Sequence, residues 1–126
     1  MTKNIFITGG TSGIGKSLIH KFAKNNYNIF FTYFNNLSEA RTISKSLKKY
    51  NIHFNYVKMD LTSIHSINNA FKKFSKQFRK LNIFVNNASP PIQRKNFLKL
   101  KSIDISKNMK GLLIGNIVSL KKALDL

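Results

Sequence analysis

The chain contains no cysteine, only two prolines, and four acidic residues against 22 basic ones in a length of 126. Without cysteine there is neither a disulfide nor a thiolate metal site. His20, His53 and His65 share no metal-ligand spacing, so no metal centre is expected. No uninterrupted apolar run approaches the roughly 20 residues that a membrane-crossing helix requires. Met1-Thr2-Lys3-Asn4 leads directly into a strand-like segment and does not resemble a secretory signal, so the expectation is a soluble, cytoplasmic protein with no membrane partner.

The scarcity of acid leaves a formal net charge of +18. Such a balance ordinarily points to nucleic acid or an anionic surface. Here the basic residues are spread over every segment, and only Arg41, Arg79 and Arg94 are arginines. Abundant Asn and Ile accompany the lysines, as a genome rich in A and T codons would produce. The densest patch, Lys72 and Lys73 with Lys76, Arg79 and Lys80, fits the wet face of one helix. A basic nucleic-acid binder is therefore the least favoured reading; sticking at low salt is expected, but no specific nucleic-acid partner.

A composition 42% hydrophobic supports one core, so residues 1–126 are expected to form a single domain, shorter than the roughly 250 residues common in a complete single-domain α/β enzyme. Short apolar runs alternate with stretches of helical periodicity. Strands are predicted at Asn4–Thr8, Asn28–Tyr33, His53–Met59 and Asn82–Asn86. Helices are predicted from Gly13 to about Asn25 with Ile14, Leu18, Ile19 and Phe22 inward, from Ser38 to Tyr50 with Ala40, Ile43 and Leu47 inward, and from Ser63 to Phe78 with Ile67, Ala70, Phe71, Phe74 and Phe78 inward. Ser38 and either Thr62 or Ser63 are of N-cap type. A looser segment, Ala88 to Lys101, contains Pro90-Pro91 and precedes a last helix from roughly Ile103 to Leu124. Right-handed crossovers would stack the first three strands into half of a doubly wound parallel sheet.

The chemistry concentrates in Thr8-Gly9-Gly10-Thr11-Ser12-Gly13-Ile14-Gly15, which follows an apolar run and opens a helix. Glycines there allow a tight turn, approach of a phosphate and close packing of helix on strand, while the helix start aims unpaired N–H groups at an anion. The same string satisfies a rival pattern: Gly10, Gly15, Lys16 and Ser17 read G-x-x-x-x-G-K-S, a loop for nucleoside triphosphates. A magnesium-dependent site of that kind wants a carboxylate at the tip of a neighbouring apolar strand. Ile83-Phe84-Val85 ends in Asn86, and Asp60 follows a run interrupted by Lys58, so the triphosphate reading is the weaker one.

Four motifs taken in order resemble the classical short-chain dehydrogenase/reductase family, in the subgroup of 3-oxoacyl-carrier-protein reductases. They are Thr8-Gly9-x-x-x-Gly13-x-Gly15, Asp60-Leu61 after the third strand, Asn86-Asn87-Ala88 closing the fourth, and Asn108-Met109-Lys110-Gly111 in the last helix. The resemblance implies an α/β fold of Rossmann type, a doubly wound parallel sheet that breaks off after the fourth strand and its following helix. It implies cofactor contacts from Thr8, Gly9, Thr11, Ser12, Gly13, Ile14, Gly15, Tyr33, Asp60, Leu61, Asn87, Ala88 and Ser89. Asp60-Leu61 would lie against adenine, and Asn108 would hold a water of the proton relay. The family places an acid after the second strand when NAD is preferred; Tyr33-Phe34-Asn35 has none, which favours NADP with NAD as the alternative, although no arginine stands there either.

The same resemblance implies hydride transfer between nicotinamide and a small carbonyl or alcohol substrate, assisted by a tyrosine with a lysine four positions on. Neither Tyr27, Tyr33, Tyr50 nor Tyr56 has lysine at that spacing. Asn108 is thus the one member of the catalytic group present, and the isolated chain is expected to be inactive. Ser89-Pro90-Pro91-Ile92 stands where the family more usually has Gly after Asn-Asn-Ala. An exposed fourth strand and the apolar face Met109, Leu112, Leu113, Ile117, Leu120 and Leu124 imply a homo-oligomer or a partner chain supplying the remaining half. A noncatalytic dinucleotide scaffold is the alternative from another class.

Overall fold

The computed structural model describes residues 2–91 and 95–126. Four parallel strands, β1 (Asn4–Ile7), β2 (Asn28–Tyr33), β3 (Phe54–Lys58) and β4 (Ile83–Val85), form one sheet in the order β3-β2-β1-β4. Helices α1 (Gly13–Lys24), α2 (Leu37–Leu47) and α3 (Ile64–Gln77) make the crossovers. The register sets Ile5, Phe6 and Ile7 beside Ile29, Phe30 and Phe31 on one side and beside Ile83, Phe84 and Val85 on the other. All four predicted strands are present, within one residue of the predicted bounds at each end.

Alternation along the strands divides the core into two layers. Ile5, Ile7, Ile29 and Phe31 pack with Ile19, Ala23, Ala40, Ile43 and Leu47 of α1 and α2. Phe6, Phe30 and Val57 face the other way, toward Ile67, Ala70, Phe71 and Phe74 of α3. Phe6 is the hub of that layer: its ring lies 4.8 Å from Phe30, 4.7 Å from Phe71, 5.4 Å from Phe74 and 5.6 Å from Phe84, centre to centre. Aromatic pairs at such spacing add to their area burial.

Two helix starts, those of α2 and α3, follow side-chain acceptors. Ser63 caps α3, its Oγ accepting from the Ser66 N–H at 3.2 Å. Asn36, and not Ser38, caps α2: Asn36 Oδ1 accepts from the Glu39 N–H at 3.0 Å, and the Ser38 hydroxyl donates to that same oxygen. Ile14, expected to point inward, is 70% exposed, because the buried stripe of α1 runs through Gly15, Ile19 and Ala23 and Ile14 lies about 100° round the helix from Gly15.

The predicted last helix is interrupted. It runs as α4 (Ser102–Met109), a π-helical turn (Lys110–Gly115) and α5 (Asn116–Leu124). Its buried positions are Gly111, Gly115 and Ser119, a stripe of small residues. A Cβ on Gly111 would lie 2.7 Å from Pro90 Cγ, and one on Gly115 would collide with the Leu61 carbonyl oxygen, so both glycines are needed for this approach. Before α4 comes the looser segment, with a 3-10 turn at Phe97–Lys99; Ile92 and Arg94, which the sequence places within it, lie outside the described residues. Asp104 ties that segment to the helix. Its two oxygens accept from Lys95 Nζ at 3.0 Å each, and Oδ2 also accepts from the Lys101 N–H at 3.2 Å. No helix among the described residues is long and apolar enough to cross a membrane.

Two measurements check this architecture. Truncating Phe6 to Ala is expected to cost about 3–5 kcal/mol in denaturant unfolding; a loss below about 1 kcal/mol would show that the aromatic layer is not the core. The hydrogen bonds from Lys95 and Lys101 hold the Asp104 carboxyl below the ordinary 3.8. A carboxylate depressed on folding stabilises the fold above its unfolded pKa, and that contribution is lost as pH falls through the lower folded value. Carbon-detected NMR titration should therefore place Asp104 below 3.8, and Lys95→Met should move it upward; an unchanged titration in the variant would refute the pairing.

Candidate functional site

At the carboxyl ends of the strands, the turn between β1 and α1 is held from two sides. Thr8, fully buried, uses its hydroxyl three times, donating to the Val85 carbonyl at 3.3 Å and accepting from the N–H groups of Asn87 and Ala88 at 3.0 Å each. The Asn87 side-chain amide returns the contact, donating to the carbonyls of Thr8 and Gly9 at 3.0 and 3.1 Å. From β2, Thr32 accepts the Gly9 N–H on its hydroxyl at 3.1 Å and the Gly10 N–H on its carbonyl at 2.7 Å. Gly9 has φ +69°, a backbone conformation that glycine adopts without penalty. A Cβ on Gly15 would collide with the Gly9 carbonyl oxygen and lie 2.8 Å from Asn87 Nδ2.

With its carbonyls so engaged, the turn leaves the start of α1 open. Ser12 stands at the N-cap but makes no side-chain capping bond, and the first turn contains no acid. Ser12, Gly13 and Ile14 are exposed and Thr11 is half-buried. An uncapped helix start presenting N–H groups, with the positive end of the helix dipole behind them, is an anion site.

The two groups that the triphosphate pattern needs are engaged elsewhere. Lys16 Nζ pairs with Glu39 Oε1 of α2 at 2.7 Å, and the Ser17 hydroxyl donates to the Gly13 carbonyl at 3.3 Å. Asp60, the marginal substitute for a metal-holding acid, accepts on Oδ1 from the N–H and the hydroxyl of Thr62 at 2.8 and 2.7 Å. His20 is held below the ordinary 6.5 by burial and then by the charges of Lys16, Lys49 and Lys24. Among the described residues no cluster of His, Asp or Glu could hold a metal.

Beside the turn lies a cavity of about 410 Å³. The ends of β2 and β3 contribute Phe34, Met59, Asp60, Leu61 and Thr62; Ala88 to Pro91 form the wall after β4; Asp104, Lys107 and Asn108 of α4 close it. Of the residues named from sequence, Asp60, Leu61, Ala88, Ser89 and Asn108 thus share one cavity, with Thr8, Gly9, Asn87 and the start of α1 at the adjoining turn. Tyr33 lies apart: its ring packs 6.0 Å from that of Tyr56 in the layer under α1 and α2, and the next residue, Phe34, lines the cavity instead. Phe34, Asp104, Lys107 and Thr32 were not singled out by sequence. Helical spacing carried the signal for two of them, since Asp104 and Lys107 share a face with Asn108.

Comparison with known proteins agrees with this geometry. The profile described as short chain dehydrogenase matches residues 3–126. A 3-oxoacyl-acyl-carrier-protein reductase from Staphylococcus aureus is 28% identical over 88% of this chain and 46% of its own length. An NADP-dependent L-rhamnose 1-dehydrogenase from Thermoplasma acidophilum is 34% identical over 68% of this chain and 34% of its own. A short chain dehydrogenase from Burkholderia cenocepacia, solved in complex with NADP, superposes with a TM-score of 0.90 at 22% identity, covering 98% of this chain and 50% of that one. The chain spans at most about half the length of these relatives. With the family profile matched over almost every residue, and a parallel sheet that carries an open glycine turn at its carboxyl edge, the chain belongs to the short-chain dehydrogenase family of oxidoreductases.

Proposed function

We propose that these 126 residues bind the adenosine-diphosphate portion of NADP and form the cofactor half of a reductase acting on a small carbonyl substrate. The observation that carries this reading is the uncapped start of α1 above a turn whose own carbonyls are already bonded. A diphosphate placed there takes the free N–H groups of the first turn, and Gly9, Thr11, Ser12, Gly13, Ile14 and Gly15 surround it. The adenosine end enters the adjoining cavity, with Phe34 as an apolar wall and the Asp60-Leu61 pair at its edge. Residues Asn87 to Ser89 run from the turn to that cavity, and Asn108 lines it from α4. Two relatives described as using or binding NADP support the choice of cofactor.

When bound, the nicotinamide supplies hydride exchange with a carbonyl carbon. This chain's part is to bind and orient the dinucleotide. The tyrosine-lysine pair that the family resemblance calls for is absent from these residues, so turnover depends on a second half, in keeping with the share of the relatives that is matched. The outer edge of β4 and the exposed Met109, Leu112, Leu113, Ile117, Leu120 and Leu124 form the face on which that half, or a second copy, packs.

Adding NADPH to labelled protein is expected to shift the amide resonances of Gly13 to Lys16 and of Leu61, whereas ATP with magnesium leaves them in place. Resonances that stay put under excess NADPH, in a sample with otherwise dispersed signals, would sink the assignment. Sedimentation velocity of the purified chain should show species heavier than one copy; a stable, soluble monomer would contradict the proposed packing face.

A further inference from the structure

Two carboxylates and one ammonium line the cavity, and among the described residues only the carboxylates have side-chain partners. Asp60 is bonded by Thr62, and Asp104 by Lys95 and the Lys101 N–H. Lys107 takes part in neither of the ion pairs found among the described residues, which are Lys16 with Glu39 and Lys95 with Asp104. It stands one turn beyond Asp104 and directly before Asn108, on the face of α4 that closes the cavity. Phe34, immediately after β2, lines the same cavity.

In a dinucleotide-binding sheet the segment after the second strand meets the ribose 2′ position. Here that segment reads Phe34-Asn35-Asn36, with no acid to repel a phosphate and no cation to hold one. A 2′-phosphate entering beside Phe34 therefore finds Lys107 as the one cation among the described residues that line this cavity. We propose that Lys107 is the specificity-determining residue for the adenosine 2′-phosphate, a role supplied from α4 in place of the end of β2. Ammonium-phosphate hydrogen bonds are charge-assisted, and a partly enclosed cavity strengthens them relative to open solvent. The inference rests on the dinucleotide reading above and adds to it the residue that separates NADP from NAD.

Calorimetric titration of the full chain with 2′,5′-ADP and with 5′-ADP tests it. In Lys107→Met the dissociation constant for 2′,5′-ADP is expected to rise about 10- to 100-fold, with that for 5′-ADP changing less than about twofold, while Lys107→Arg retains binding of both. Lys107 is exposed, so the variants should keep the unfolding midpoint of the parent chain, which serves as the control. Equal weakening of both ligands, or no weakening of either, overturns the assignment to Lys107. An unmodified chain that binds neither ligand rejects the dinucleotide reading itself, and the two failures are thereby told apart.

Discussion

The turn after β1 must be gripped by its own polypeptide without using the amides that a ligand would need. Thr8 and Asn87 meet that demand by bonding each other's segments: the Thr8 hydroxyl takes the main chain at Val85, Asn87 and Ala88, and the Asn87 amide takes the carbonyls of Thr8 and Gly9. Every one of these bonds joins residues nearly 80 positions apart in sequence, so the turn acquires its shape only when β4 has been added beside β1. Thr32 secures the other flank from β2. The Gly9 carbonyl, held by the Asn87 amide, lies against Gly15, and the start of α1 keeps no side-chain cap.

Much of this was legible in the sequence. Strands of a sheet covered on both faces read as short apolar runs, and β1, β2 and β4 are such runs; α2 and α3 show their buried faces at a spacing of three and four. The glycine string and Asn86-Asn87-Ala88 marked the strand ends, where the turn and the cavity lie. What failed to read through had local causes. Ser38 and Asn36 are both capping types two positions apart, and the choice between them depends on backbone geometry, with Asn36 outside the helix and Ser38 already within it. Ile14 fits the apolar period of α1 but lies off its buried stripe of Gly15, Ile19 and Ala23. Tyr33 and Phe34 are adjacent aromatics on opposite sides of a strand end, and alternation assigns the first to the Tyr56 layer and the second to the cavity.

The excess of positive charge has a local structure that composition hides. The two ion pairs among the described residues use two of the four acids, and each bridges elements: Lys16 with Glu39 links α1 to α2, and Lys95 with Asp104 fastens the segment after β4 to α4. Partly exposed pairs of this kind contribute on the order of 0–1 kcal/mol, so their effect is on position more than on stability. Lys16 is drawn from the glycine turn toward α2, which takes away the point charge that a triphosphate loop would require. The uncapped start of α1 offers main-chain dipoles alone, a donor set suited to a diphosphate bridge that carries no metal.

The shape of the cavity follows from side-chain size along one stripe of the last helix. Positions four apart drift by about 40° on an α-helix of 3.6 residues per turn, so a long stripe would wander off the contact. The π-helical turn at Lys110–Gly115 has more residues per turn and reduces that drift, keeping Gly111, Gly115 and Ser119 all buried. There the helix touches the loop after β3, close enough that a methyl on Gly115 would strike Leu61, and this contact fixes the Asp60-Leu61 wall. One turn earlier the same stripe carries Asp104, Lys107 and Asn108, which are too large and too polar for such an approach, and the helix stands off. The gap between a helix end that fits the loop and one that cannot is the cavity itself. The residues that keep it open are therefore the ones placed to meet whatever enters it.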